Sequence, residues 1–346
     1  MKKILYCISA AAFAALVSCT TDYIAELPEP GTETVPVTIN VGLPSTKRIG
    51  ENASDMLLKN YQVLVFTESG KFEAASLLYT NNTQTTLNLV PGVKHIWAVA
   101  NIPSVLADPA NEAAFLNLKN EQRFTTYEKI SMSAYDTPTI TTETQINLSL
   151  KHIACKVVLD KVTRSFTNED YGAIPLVIKR VYLSNVAGDT NYACSAAPTV
   201  WYNKQGVVDN GLASAHADML LNDNINYSIA QNASYDVVHT FYAFPNPTTT
   251  DTYNTSWSAR HTRLVIECDY NGRTCYYPIT LPKASGEDLG TLERNKVYHI
   301  SQLTLKRPGS TSPENPGDEV ESKVAVTFKV TVSDWEGDNS YTEIFE

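Results

Sequence analysis

Apolar side chains recur at every second position in two segments near opposite ends of the chain. Residues 35–43 read Val-Pro-Val-Thr-Ile-Asn-Val-Gly-Leu, with Val35, Val37, Ile39, Val41 and Leu43 on one face. Residues 324–332 read Val-Ala-Val-Thr-Phe-Lys-Val-Thr-Val, with Val324, Val326, Phe328, Val330 and Val332 on one face. A two-residue period is that of a β-strand with one buried side. The same habit runs through the body of the chain. It predicts strands over 61 to 67, 72 to 79, 85 to 90 and 93 to 101, then over 176 to 184, 237 to 244, 263 to 270, 274 to 281 and 297 to 305. Ile153, Cys155, Val157 and Leu159 alternate along a further one. Asn271-Gly272 marks a tight hairpin, the strongest short signal of its kind. One helix is expected over 108 to 119, with Asp108 as cap, Pro109 in the first turn and Ala114, Phe115 and Leu118 as its apolar face. Short strands separated by turns make this an all-β chain, and its 346 residues suffice for two β-sandwich domains. The pattern divides it at 49–145 and 146–306, with 20–48 ahead as tether and first strand and 307–346 behind as linker and terminal strands.

Composition agrees with that reading. Charged residues are 18% and aromatic residues 10%, including 19 Tyr, a mixture suited to pleated, half-buried surfaces. A formal net charge of −10 argues against a nucleic-acid partner, since phosphate binding needs a basic face. The six histidines (His95, His152, His216, His239, His261 and His299) are scattered without metal-ligand spacing. No nucleophile elbow, phosphate loop or dinucleotide fingerprint occurs, so nothing points to an enzyme, a cofactor or a metal. Asp334, Asp338 and Asn339 read as an acidic turn before they read as a calcium loop. Trp97 and Trp335 read as core residues, and His95, His239 and His299 as structural side chains. Trp201-Tyr202, in the irregular stretch 188–233, is the candidate platform for stacking on a sugar. It supports an alternative in which the chain is a monomeric surface lipoprotein that binds glycans.

The ends change the picture more. Lys2 and Lys3 precede the apolar run from Ile4 to Val17, which is too short to span a bilayer. The run closes with Leu16-Val17-Ser18-Cys19, which resembles a bacterial lipobox. Residues 1–19 are therefore expected to be a lipoprotein signal that leaves Cys19 acylated in the outer membrane, each buried CH₂ adding roughly 0.8 kcal/mol of anchoring. Four cysteines remain after Cys7 and Cys19. Cys268 and Cys275 fall opposite each other across the Asn271-Gly272 hairpin, within reach of a disulfide. Cys155 and Cys194 are either two buried thiols or a second bridge. Between the first strand and the body lies Ser45-Thr46-Lys47-Arg48-Ile49-Gly50. A protease cutting between Arg48 and Ile49 would let the first strand leave, and a strand of the same pattern from another copy could take its place. At the other end, residues 307–319 form a Pro/Gly/acidic linker, expected to be flexible. It would let the terminal strands swing from their own domain to a neighbour.

The order of these parts resembles the fimbrillins, the FimA-like subunits of the type V pilus. The resemblance is carried by the lipobox at Cys19, the alternating strand and the basic site at Arg48. It is carried also by Lys94-His-Ile-Trp-Ala-Val-Ala-Asn101, Leu148-Ser-Leu-Lys-His-Ile-Ala-Cys-Lys-Val-Val-Leu159, Glu293-Arg-Asn-Lys-Val-Tyr298 and Val330-Thr-Val-Ser-Asp-Trp335. It implies two transthyretin-like β-sandwich domains with a C-terminal donor-strand extension. It implies a lipoprotein precursor cut by an Arg-specific protease at the position of Arg48. Other copies of the chain, and tip and anchor pilus subunits, would be its partners in a surface fimbrium that supports adhesion to a host or bacterial ligand. A cleavable Arg48 fits a stalk or accessory subunit. A chain that kept its first strand and its lipid would be the anchor.

Overall fold

The computed structural model describes residues 33–43, 57–121, 130–204, 220–248, 258–281, 291–313, 325–335 and 340–345. Cys19, Arg48, Ile49 and Val324 lie outside these residues.

The first sandwich is built around the first strand, Val35–Gly42. It runs antiparallel to Gln84–Leu89 and parallel to Thr144–Ser149, and so occupies the middle of a three-stranded sheet. Val37, Ile39 and Val41 point inward and are at most 1% exposed. Facing them is a larger sheet that carries Lys151–His152, Met132–Asp136, Gly92–Ala100, Tyr61–Thr67 and Phe72–Ala75 in that order. Tyr61, Val63, Val65, Ile96, Ala98 and Met132 meet the first strand in one core. The opposite face of this sheet is covered as well. Leu64, Phe66, Trp97 and Val99 form a second core beneath Phe115 and Tyr192. That explains why Tyr61–Phe66 is buried at every position, where a one-faced strand would alternate.

The helix is shorter than the sequence suggests. It spans Glu112–Leu116, and its cap is Asn111, whose side chain accepts from the amide of Ala114 at 2.8 Å. Asp108 and Pro109 precede it, Phe115 is its buried residue and Leu118 is exposed. The start is set by Glu112, whose carboxylate accepts from Trp97 Nε1 at 2.8 Å and contacts His95 Nδ1 at 2.5 Å. The strand expected over 72 to 79 also closes early, as Phe72–Ala75.

The division at 145/146 needs correcting. Ile146 and Leu148 pair with Ile39 and Val41 and lie in the core of the first sandwich. Lys151–His152 pairs with the first sandwich too. The crossing to the second unit comes between His152 and Cys155, where the strand Cys155–Leu159 begins. Apolar residues alternate on both sides of this point, at Ile146, Leu148 and Leu150 and then at Ile153, Cys155, Val157 and Leu159, and the crossing is marked only by the change of phase at Lys151-His152.

The second sandwich faces one sheet with Lys296–Leu305 at its centre against another containing Leu176–Ser184, Arg263–Tyr270 and Arg273–Thr280. Asn271 (φ 56°) and Gly272 (φ 72°) turn the last two strands as expected. Residues 188–204, which the sequence leaves unreadable, make an excursion from this unit. Asp189–Asn191 pairs antiparallel with Lys119–Glu121 of the first unit. Tyr192 then stacks on Phe115 at 5.8 Å. Asp189 holds the excursion together. Burial works against its charge, but the Thr199 hydroxyl, the amides of Val200 and Thr199, and Lys119 keep its carboxyl below the usual range.

Candidate assembly surfaces

The sequence places function at the first strand and at a terminal strand of matching pattern, and the structure adds the junction between the units. The first strand is held by two backbone ladders and three inward side chains. Burying those three contributes roughly 1.5–3 kcal/mol each. Val35 and Leu43, the outer members of the predicted set, are half-buried. Outward, the strand carries a polar ladder. Thr38 Oγ1 lies 3.2 Å from Thr86 Oγ1, Asn40 Nδ2 donates to Asn147 Oδ1 at 2.8 Å, and Gln84 Nε2 donates to Asn40 Oδ1 at 3.0 Å.

The terminal strand, Val326–Asp334, pairs antiparallel with Lys296–Leu305 of its own domain and with Ser340–Phe345 on its other side. Val326, Val330 and Val332 are buried and Phe328 is half-buried. In this chain the terminal strand therefore rests on its own sandwich. It ends at Trp335, which is 1% exposed, stacks on His152 at 4.0 Å and lies 5.9 Å from Tyr242. The Trp335 amide donates to the Asn295 carbonyl at 2.9 Å.

Asn295, at φ 60°, belongs to a junction that sequence reasoning noticed as a motif without seeing its work. Its side-chain oxygen accepts from the His152 amide at 2.9 Å. Beside it, Arg294 spreads its guanidinium over the backbone of the first unit. It donates to the carbonyls of Lys151 (2.8 Å), His152 (3.2 Å) and Ser133 (3.3 Å) and to Ser133 Oγ (3.0 Å). It reaches the Tyr192 carbonyl at 3.4 Å. The only signal available in the sequence was an arginine directly before an asparagine at a strand start.

The linker is not free from its first residue. Tyr277 Oη donates to the Arg307 carbonyl at 2.9 Å, and Ser310 bridges Tyr276 through paired backbone bonds. Gly309 is required there, because a Cβ would stand 2.4 Å from the Tyr276 carbonyl oxygen. Residues 307–310 are thus clasped to the second sandwich, contrary to the flexibility expected from composition.

Several candidates take structural roles. Trp201 and Tyr202 are half-buried against the core of the second unit, and the Tyr202 ring closes over Gly188, so they offer no open platform. Asp334 pairs with Lys296. Asp338 and Asn339 lie outside the described residues. Among the described residues no three His, Cys, Asp or Glu side chains are grouped to hold a metal. Cys268 stands opposite Cys275 as the hairpin register requires, and both are thiols here, as are Cys155 and Cys194. Burial pushes the Cys155 thiol up to about 12, which leaves it unreactive at neutral pH. His299 pairs with Asp160 at 2.8 Å.

His239, bonded to Tyr235 Oη at 3.1 Å, is pushed down to about 4 by burial. An ordinary histidine titrates near 6.5 when unfolded, so the unfolded chain takes up this proton first as pH falls. The contribution of neutral His239 to stability is therefore whole above pH 6.5 and is lost progressively between 6.5 and 4. Urea unfolding at pH 7 and pH 4.5 should show about 2–3 kcal/mol less pH-dependent loss in His239→Gln than in the native chain. Equal losses would mean that His239 is not the group responsible.

Comparison with known proteins follows the same architecture. The chain superposes on a fimbrilin from Porphyromonas gingivalis with a TM-score of 0.63 at 14% identity, covering 88% of this chain and 98% of that one. The fold is that of the fimbrillins. A candidate cell adhesion protein from Bacteroides eggerthii shares the fimbrillin fold at a TM-score of 0.60 and 18% identity, over 88% of this chain and 96% of that one. Another from Parabacteroides distasonis shares it at 0.56 and 16%, over 87% and 100%. No family model and no curated protein matches the sequence.

Proposed function

We propose that the chain is a structural subunit of a surface fimbrium and assembles by strand exchange after cleavage between Arg48 and Ile49. The observation that carries this reading is the place of the first strand. It is the middle strand of its sheet, with Val37, Ile39 and Val41 buried, and the cleavage site follows within a few residues. Once that strand leaves, the ladders of Gln84–Leu89 and Thr144–Ser149 are open and an apolar groove faces the solvent. The terminal strand has the matching alternation and follows the Pro/Gly/acidic segment 307–319. Groove and donor lie in different units, so each contact joins one copy to the next head-to-tail and the chain of contacts does not close. Cys19 anchors the precursor in the outer membrane by lipid. Other copies, further pilus subunits and an Arg-specific protease are its partners.

Limited trypsin digestion of a form lacking residues 1–19 tests this. Cleavage after Arg48 should be followed by a ladder of SDS-resistant oligomers, absent in Arg48→Ala and in a chain ending at residue 322. A cut chain that remains monomeric at high concentration would reject the assembly reading. An uncut first strand in cells, with lipid retained, would turn the assignment to the anchor subunit.

A further inference from the structure

We propose that the terminal strand enters the neighbour's groove in the direction and register of the strand it replaces, with Val326 in the place of Val37. Thr327 then lies beside Thr86, and Lys329 lies between Gln84 and Asn147. This rests on the strand-exchange reading above and adds the residues that select the partner strand.

Alternation alone does not choose a register, since a two-residue slip returns every apolar side chain to the same face. Two features of the groove break that degeneracy. The first is volume. The inward positions hold Val37, Ile39 and Val41, all within 1% of full burial, so the middle site is the largest. Val326, Phe328 and Val330 repeat that order, with the bulky residue in the middle. A slip by two residues towards the C-terminus brings Phe328 to the site of Val37. A slip by four brings the carboxylate of Asp334 to the buried site of Val41.

The second feature is the outer polar ladder. Asn40 is bonded on both sides, accepting from Gln84 and donating to Asn147, and Thr38 meets Thr86 hydroxyl to hydroxyl. In the proposed register Thr327 restores the hydroxyl pair. The Lys329 ammonium meets the Asn147 side-chain oxygen, which already accepts from Asn40, and reaches that of Gln84 once the Gln84 amide rotates. Neither Gln84 nor Asn147 is buried, so they act on register more than on affinity. The segments also share Val at 35 and 324, 37 and 326, and 41 and 330, and Thr at 38 and 327.

Intersubunit disulfide trapping reads the register directly. An acceptor carrying Thr86→Cys, ending at residue 322 and cut at Arg48, is mixed with a donor carrying either Thr327→Cys or Lys329→Cys. The Thr327→Cys donor should cross-link about tenfold more than the Lys329→Cys donor, the scale expected of two weak hydrogen bonds. Gln84→Ala with Asn147→Ala in the acceptor should narrow the difference between the two yields, leaving the part set by the inward volumes. Preferential trapping of Lys329→Cys would overturn the proposal, because that position meets Thr86 after a slip or in the reversed direction. So would equal trapping in the unaltered acceptor. If no complex forms without the cysteines, strand exchange itself is rejected and the register falls with it. Complexes that form but trap in the wrong place reject the register alone.

Discussion

Trp335→Ala is expected to unfasten the terminal strand while leaving both sandwiches folded. The indole is 1% exposed, stacked on His152 at 4.0 Å and close to Tyr242, and its amide is tied to Asn295. Truncating a side chain of this size in a packed site costs about 3–5 kcal/mol. Most of that loss should fall on the strand it terminates, because the contacts of Lys296–Leu305 with Cys155–Leu159 and Val162–Arg164 do not involve it. Native-state hydrogen exchange should show the amides of 326–334 losing at least a hundredfold in protection, with 61–67 and 176–184 unchanged. After cleavage at Arg48 the variant should assemble faster, since its donor is already loose. Unchanged protection in 326–334 would show that the β-ladder, not the tryptophan, holds the strand in place.

Arg294→Met should carry the second large effect, and on a different property. The guanidinium satisfies three carbonyls and a hydroxyl of the first unit from a base in the second. Removing it strands those acceptors at a half-buried junction and is expected to cost about 2–4 kcal/mol. The loss should appear as coupling. The native chain is expected to melt in a single transition and the variant in two, with early exchange of the ladder between Lys119–Glu121 and Asp189–Asn191. Arg294→Lys should recover less than half of the loss, because an ammonium cannot fork across several carbonyls as a planar guanidinium does. A single transition with an unchanged midpoint would assign the junction to Tyr192 and the strand pairing instead.

What the sequence disclosed follows from which interactions are local. Leu176–Ser184 and the Asn271-Gly272 turn were readable to the residue, because period and turn chemistry are written in adjacent positions. The first strand's burial pattern was equally plain. Its neighbours were not. Thr144–Ser149 pairs with it in parallel across a long sequence separation, and the only local sign that it stands apart from the next domain is the change of apolar phase at Lys151-His152. The helix start was misplaced because Asp108 and Asn111 are both acceptable caps. The choice between them was made by Glu112, which His95 and Trp97 hold in place from another strand. The excursion at 188–204 was opaque for a related reason. Asp189 and Asn191 are buried polar residues that bond both within the excursion, to Thr199, Val200 and Ser195, and across to the first unit, and Tyr192 stacks on Phe115 there. Arg294 was seen as part of a family pattern, but its purpose required the carbonyls that it meets.

The first strand lies in the interior of its sheet, not at an edge, and this bears on the timing of assembly. A cut after Arg48 severs the covalent connection but leaves both ladders and all three inward side chains in place. The nicked chain is therefore still closed, and its strand behaves as a tightly held peptide ligand. In the proposed exchange an incoming donor would have to displace it residue by residue, as one strand of a zipper invades another. On this view proteolysis acts as a permit and displacement sets the pace. In the proposed assembly, nicked subunits would wait with their grooves filled, shielded from unrelated strands, until a matching donor arrives.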